Sequence, residues 1–170
     1  MISKVMHSAL NDQINAELWS AYLYLSMSIA AESSSYKGAA NWFFVQWLEE
    51  QDHARILQNY LADQNHPAVL KPIDAVPTRW DDVPEMFHDA LKHEKDVTGM
   101  IDKLVAMAIH EEDYATLSRL QWFVDEQVEE EKNVLDMIEL LDCPDNTRFD
   151  IRFIDDKLGE REYEKASALE

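Results

Sequence analysis

The sequence has 170 residues, which is enough for one domain or at most two small ones. Its 34 acidic and 15 basic residues give a formal net charge of −19, which argues against a broad nucleic-acid-binding surface because such surfaces need clustered Lys and Arg. Hydrophobic residues make up 46% of the chain, so its acidity does not imply disorder. A single cysteine, Cys143, excludes an internal disulfide framework and favours a reducing compartment.

Neither a membrane span nor an export signal is expected. The longest uncharged run, residues 18–31, is shorter than the about 20 residues that a spanning helix needs. The first residues lack the apolar stretch of a signal peptide. These features predict a soluble, cytoplasmic protein that binds neither membranes nor nucleic acid.

Proline and glycine divide the chain into long helices, because helix interiors avoid both residues. The first 66 residues contain no proline, and none lies between Pro84 and Pro144. The pattern predicts five helices, at about residues 4–32, 39–64, 84–110, 114–141 and 146–158. One domain would span residues 1–159, followed by a charged, disordered tail at residues 160–170.

The connector at residues 66–83 determines the predicted topology. Short links make helices 1 and 2, and helices 3 and 4, antiparallel neighbours. The connector can span up to about 60 Å when extended, which exceeds the length of about 40 Å expected for a 27-residue helix. We therefore predict an all-α four-helix bundle with one long crossover and a short fifth helix at the C-terminal end.

Each long helix has an apolar stripe at helical spacing, and polar side chains interrupt each stripe near the middle of the helix. Mid-helix positions of four aligned helices meet at one height, whichever way each helix runs. The interrupting residues are Glu17, Glu50, His53, Glu94, Gln127 and Glu130. We expect these six side chains to converge at the centre of the bundle.

Four carboxylates in an apolar interior need a cationic partner, because burial and mutual repulsion both raise their pKa values. No Lys or Arg lies on the four stripes, whereas two divalent ions would balance the charge. Oxygen donors with one imidazole suit iron or manganese better than copper or structural zinc. Glu50 and His53 are three residues apart on one helix, so one ion can bind both.

A second Glu-x-x-His pair tests how specific this spacing is. Glu85 and His88 have it too, but they lie in the first turn of helix 3, where we expect solvent exposure. A lone Glu on a helix stripe is commonly a boundary residue whose carboxylate reaches solvent. The coincidence across four helices is therefore what favours a metal site.

Four segments together resemble bacterial non-haem ferritins, of the ferritin-like di-iron family, over nearly the whole chain. They are NAEL at residues 15–18, WLEEQDH at 47–53, KHE at 92–94 and LQWFVDEQVEEE at 120–131. The resemblance implies a ferritin-like bundle in a homo-oligomeric shell of 24 subunits. It also implies iron storage and detoxification, in which a ferroxidase oxidises Fe(II) with O2 or peroxide and deposits a ferric oxyhydroxide mineral inside the shell.

The resemblance also implies roles for the six central residues. One iron would bind Glu17, Glu50 and His53. The second would bind Glu50, Glu94 and Glu130, with Glu50 bridging and Gln127 forming a hydrogen bond nearby. Bacterioferritins and rubrerythrins have a second Glu-x-x-His motif on helix 4. This chain has Gln127 and Glu130 at the corresponding positions. Haem is not expected, because Gln51 replaces the haem-binding Met of bacterioferritins.

A third, weaker iron site is implied at Glu49, Glu126 and Glu129, with Glu130 shared. The same residues also fit an ordinary solvated acidic face. Tyr24 and Trp122 are candidate electron donors by resemblance, although buried aromatic residues are core residues by default.

Two other functions remain open at this point: a di-iron enzyme acting on an organic substrate or peroxide, and a metal-free structural bundle. Self-association is expected because helix 1 is apolar nearly all round at residues 18–29, and because Trp42 and Phe44 lie off the bundle-facing stripe of helix 2. Pairing these helices about a two-fold axis would cover the apolar surface.

Overall fold

The computed structural model describes residues 2–142 and 148–169. This part of the chain contains helices and no strand, and its helices are α1 (Lys4–Ser33), α2 (Lys37–Asp63), α3 (Val83–His110), α4 (Tyr114–Leu141), α5 (Arg148–Leu158) and a short 3₁₀ helix (Ser167–Leu169). The predicted all-α fold is confirmed, and the bounds of the four long helices agree with the prediction to within two residues. The predicted helix stop at Pro144 and the predicted start of α5 at residue 146 lie outside the described residues.

The first three helices end in the same way, although none has a glycine there. The residue two positions after each helix, Ser35, Asn65 or Glu112, has a positive φ between 55° and 65°. The amide after it then donates to a carbonyl five residues back, as in the bond from Tyr36 N to Ala31 O. This is the hydrogen-bond pattern of a Schellman motif, which satisfies the last carbonyls of a helix.

Side-chain caps begin three of the helices. Ser3 Oγ accepts from Met6 N at the start of α1, and Asp82 and Asp113 cap α3 and α4 in the same way. Pro84 occupies the first turn of α3, where the missing N–H removes no helical bond. These caps satisfy amide groups of the first turn that have no partner within the helix.

The bundle core consists of two apolar clusters with a polar layer between them. One cluster, around Tyr24, Phe43 and Phe87, joins the second half of α1 to the first halves of α2 and α3. The other, around Leu57 and Phe123, lies at the opposite end of the bundle. The polar layer between them is the candidate functional site.

The connector between α2 and α3 runs along the outside of α1. Asn11 Oδ1 accepts from Val69 N at 2.6 Å, and Ser26 Oγ donates to Pro77 O at 2.6 Å. The 15 residues between Asn11 and Ser26 correspond to about 22 Å of helix. The connector therefore makes the predicted lengthwise crossover.

Helix α5 packs across the start of α2. A Cβ atom added to Gly38 would lie 1.5 Å from the carbonyl oxygen of Asp155, so only glycine permits this approach. Trp42 is 4% exposed and its ring contacts Phe43 and Phe87, which corrects its expected place on the outer surface. The helix pattern was misleading here because α5 and the residues after it add a covering layer over this face of α2.

The chain after α5 was expected to form a disordered tail. Instead, residues 160–169 lie against α2 and α4. Asn41 Nδ2 donates to Arg161 O at 2.9 Å, and Tyr163 Oη donates to Asp52 Oδ2 at 2.7 Å. We refer to residues 160–169 as the tail.

Candidate metal centre

All six predicted central residues meet in the polar layer. Each is 5% exposed or less. They come from the middle of the helices: Glu17 from α1, Glu50 and His53 from α2, Glu94 from α3, and Gln127 and Glu130 from α4. The regular 3.6-residue repeat of four uninterrupted helices brings them to one height.

Glu17, Glu50 and His53 form the first group able to hold a cation. Each offers a ligand atom, and these atoms lie within 4.8 Å of one another. Glu50 Oε2 lies 3.3 Å from His53 Nδ1, as their spacing on one helix predicts. Oε2 of Glu17 is buried with no hydrogen-bond partner among the described residues. Such an orphaned acceptor beside an imidazole fits a bound divalent cation.

His53 also belongs to a second group, with Glu126 and Glu130, whose ligand atoms again lie within 4.8 Å of one another. The family resemblance instead implied that Glu130 shares an iron with Glu50 and Glu94. Helix α4 therefore brings two carboxylates close to His53: Glu130, which is buried, and Glu126, which is partly exposed.

Glu94 belongs to neither group of the described chain and is held by hydrogen bonds. Tyr24 Oη donates to its Oε1. Gln127 Nε2 lies 3.2 Å from both the Oε2 and the backbone oxygen of Glu94, and 3.3 Å from Thr98 Oγ1. These donors orient the Glu94 carboxylate inside the layer. Gln127 thus forms a hydrogen bond beside the proposed ligands, as the family resemblance implied.

Two buried amides were missed by the sequence analysis. Gln13 Nε2 donates to Glu17 Oε1, and Gln46 Nε2 donates to Glu130 Oε2, both at 2.9 Å. Each amide lies one helical turn before a predicted ligand, Glu17 or Glu50. That spacing was a usable signal for Gln13, but the contact of Gln46 crosses from α2 to α4 and depends on tertiary packing.

Burial controls the protonation of the layer. It raises the pKa of Glu17 and of Glu50, the latter well above its usual range, and it raises the pKa of Glu94 to about 8. Burial alone would lower the pKa of His53, but Glu50, Glu17 and Glu130 outweigh it and raise that pKa to about 10. A metal-free layer therefore retains protons at neutral pH, and a divalent cation would replace them.

The three residues of the implied third site line one pocket. Glu49, Glu126 and Glu129 surround a space of about 360 Å³ beside His53. Burial raises the pKa of Glu49 to about 7, although Arg161 opposes this shift, and burial also raises the pKa of Glu126. Glu49 Oε2 lies 2.6 Å from Arg161 Nη2.

Both candidate redox aromatics adjoin the layer. Tyr24 donates to Glu94, as described above, and the Trp122 ring meets the His53 ring edge-on with 5.5 Å between centroids.

The Glu-x-x-His pair on α3 makes other contacts. His88 Nε2 lies 2.9 Å from Asp142 Oδ2, and Glu85 Oε2 accepts from Asp81 N at the start of the helix. About half of the His88 side chain is exposed. Its surroundings therefore match the solvent-exposed position expected from the sequence.

This arrangement defines a class of protein: a four-helix bundle with one long crossover, whose centre holds carboxylates and an imidazole able to bind divalent cations. Among the described residues, no Lys or Arg forms an ion pair with any of the four central carboxylates. In the same residues, no helix is long and apolar enough to span a lipid bilayer.

Comparison with known proteins places the chain within this class. Residues 7–143 match the ferritin-like domain family. The chain is 39% identical to a bacterial non-heme ferritin of Bacteroides fragilis over 161 residues, covering 95% of this chain and all of that protein. It is 41% identical to a bacterial non-heme ferritin of Staphylococcus haemolyticus over 131 residues, covering 77% of this chain and 79% of that protein.

A solved structure is similar to the same extent. An open-pore ferritin of the hyperthermophilic archaeon Archaeoglobus fulgidus superimposes with a TM-score of 0.93 at 41% identity, covering 95% of this chain and all of that one. The chain belongs to the ferritin family. This membership supports iron storage with ferroxidase activity as its function.

Proposed function

We propose that this chain is the subunit of an iron-storage shell and that its buried polar layer is a ferroxidase centre for two Fe(II) ions. The observation that supports this most directly is the cluster of Glu17, Glu50 and His53, with a buried and unpartnered carboxylate oxygen. Iron is the substrate here, since a storage protein must take it up and then release it to a mineral.

One Fe(II) would bind Glu17, Glu50 and His53, and the second would bind Glu50, Glu94 and Glu130. Two Fe(II) ions supply two electrons, which reduce one O2, together with two protons, to hydrogen peroxide and leave both ions as Fe(III). The protein orients the ligands and excludes bulk water. Gln13, Gln46 and Gln127 hold the carboxylates in place during this step.

The acidic pocket of Glu49, Glu126 and Glu129 is proposed as the third, weaker iron site. It opens beside His53, so it offers iron a route out of the buried layer. No haem is expected to bind. The single cysteine supports a cytoplasmic location.

The proposed shell contains 24 subunits. Tyr22 and Ile29 on α1 and Phe44 on α2 are 42–60% exposed, and the three surround or border shallow grooves. Pairing α1 and α2 with a second copy would bury them. Twenty-four chains of 19.8 kDa would give a particle of about 475 kDa.

Addition of Fe(II) in air, followed by size-exclusion chromatography with light scattering, tests the proposal. We expect rapid oxidation, uptake far beyond two irons per chain, and iron eluting with a particle of about 475 kDa. Oxidation that stops at two irons per chain would instead support a di-iron enzyme. A monomer or dimer under all native conditions would contradict the storage shell.

A further inference from the structure

The tail is attached to α2 and α4 beside the candidate metal centre. Tyr163 Oη and Ala166 N both donate to Asp52 Oδ2, at 2.7 and 3.1 Å. Trp122 Nε1 donates to Ser167 Oγ at 3.3 Å. Asp52 lies between Glu50 and His53 in the sequence, so the tail is fixed to the same turn of α2 that supplies two proposed iron ligands.

Six tail residues line the acidic pocket, and Arg161 is the one that pairs with Glu49. Its Nη2 lies 2.6 Å from Glu49 Oε2, and both side chains are 20% exposed. Its guanidinium carbon lies 4.4 Å from the centroid of the Trp42 ring. An ion pair and a cation–π contact therefore hold the guanidinium in one place.

A metal ion and this guanidinium compete for the same carboxylate. Glu49 lines the pocket together with Glu126 and Glu129, and Arg161 lines its wall. A cation bound to Glu49 Oε2 would lie within about 5 Å of the guanidinium charge, where like charges repel. Full ligation by Glu49 therefore requires Arg161 to move away.

We propose that Arg161 is a positioning residue whose ion pair with Glu49 takes the place of a bound cation. Iron then binds the third site only by displacing the Arg161 guanidinium. The inference rests on the third site of the proposed function. Competition from Arg161 gives the third site a lower iron affinity than the two buried sites. The third site is therefore filled last. The competition also links filling of the site to release of the tail from Glu49.

Titration calorimetry of the assembled full chain with Fe(II) in the absence of O2 tests the inference. We expect the wild-type protein to show two tight binding steps and one weaker step per chain. Arg161→Ala should strengthen only the third step, by roughly two- to fivefold, which is the range expected for one partly exposed ion pair. In Arg161→Lys the affinity of the third step should stay close to the wild-type value, because the lysine keeps a cation within reach of Glu49.

Lys157→Ala is the matched control, because it also removes one positive charge from the C-terminal region. Lys157 pairs with Glu160 at 3.0 Å and is 57% exposed. We expect Lys157→Ala to bind the third iron with the wild-type affinity. In a Glu49→Gln background, Arg161→Ala should have no effect, because the contested carboxylate is gone.

Three results would overturn the inference: an unchanged third step in Arg161→Ala, an equal change in Lys157→Ala, or no third step in any variant. In the last case the two tight steps separate the two proposals. If they persist, the ferroxidase centre stands and only the third site fails. If they too are missing, the proposed function itself fails.

Discussion

The apolar clusters at the two ends of the bundle and the polar layer between them are built from the same four helices. Their contributions to the stability of the fold differ. In the clusters, side chains such as Phe43 and Phe87 are fully buried against one another, with ring centroids 4.9 Å apart. In the layer, equally buried Glu17 and Glu94 carry raised pKa values. Burial stabilises the clusters, and it costs free energy in the layer until a cation arrives.

This difference indicates that stability and iron chemistry are separable along the bundle axis. Replacing residues of the layer should affect iron and leave folding intact. Replacing residues of the clusters should do the reverse. Four experiments test this separation, from the largest expected effect to the smallest.

Glu50→Ala and His53→Ala should each slow rapid Fe(II) oxidation by more than about 100-fold, because Glu50 would bridge both ions and His53 would bind one. Both variants should still fold, because the apolar clusters on either side of the layer are unchanged. Stopped-flow absorbance after mixing with Fe(II) in air measures the rate. His88→Ala is the control and should oxidise at the wild-type rate. Wild-type rates in the first two variants would refute the site assignment.

Phe87→Ala should lower the free energy of unfolding by about 3–5 kcal/mol, because it leaves a cavity in a fully buried cluster. Its oxidation rate per folded subunit should stay at the wild-type value. Guanidinium unfolding followed by circular dichroism measures the first quantity. Val5→Ala, which truncates a 61% exposed side chain, should change stability by less than about 0.5 kcal/mol. A large loss of oxidation rate in Phe87→Ala would show that the two regions are coupled.

Gln46→Ala should slow oxidation by roughly tenfold, because Glu130 loses the buried donor that orients it. The matched control is Gln51→Ala. The Gln51 amide donates to the carbonyl of Trp47 within its own helix, so this change should leave the rate unaltered. Equal effects of the two substitutions would indicate that the Gln46 contact does not position the ligand.

Glu94→Gln should stabilise the metal-free protein, and more at pH 8 than at pH 5. The pKa of Glu94 is about 8 in the folded chain and near 4.5 when unfolded, so between these values the native state binds more protons. Its contribution to the free energy of unfolding therefore falls as pH rises from 4.5 to 8. A gain of about 1 kcal/mol at pH 8, or about 2–4 °C in Tm by calorimetry, is expected. A gain that is equal at both pH values would contradict the titration of Glu94.

Periodicity in the sequence was sufficient to predict the four long helices and the layer. Glu17 and Glu94 interrupt regular apolar stripes, and regular helices place such interruptions at one height whatever the details of packing. The residues after the first three helices were harder to interpret, because Ser35 and Glu112 adopt a conformation that sequence patterns associate with glycine.

Tertiary structure alone decided three features of the site. Gln46 reaches Glu130, and His53 groups with Glu126, because of the way α2 packs against α4. Arg161 lies 112 residues from Glu49 in sequence, and no local pattern relates the two. Helical repeats specify which face a residue occupies. They do not specify which residues of another helix, or of a chain end, pack against that face, because that depends on helix approach and on what covers the bundle.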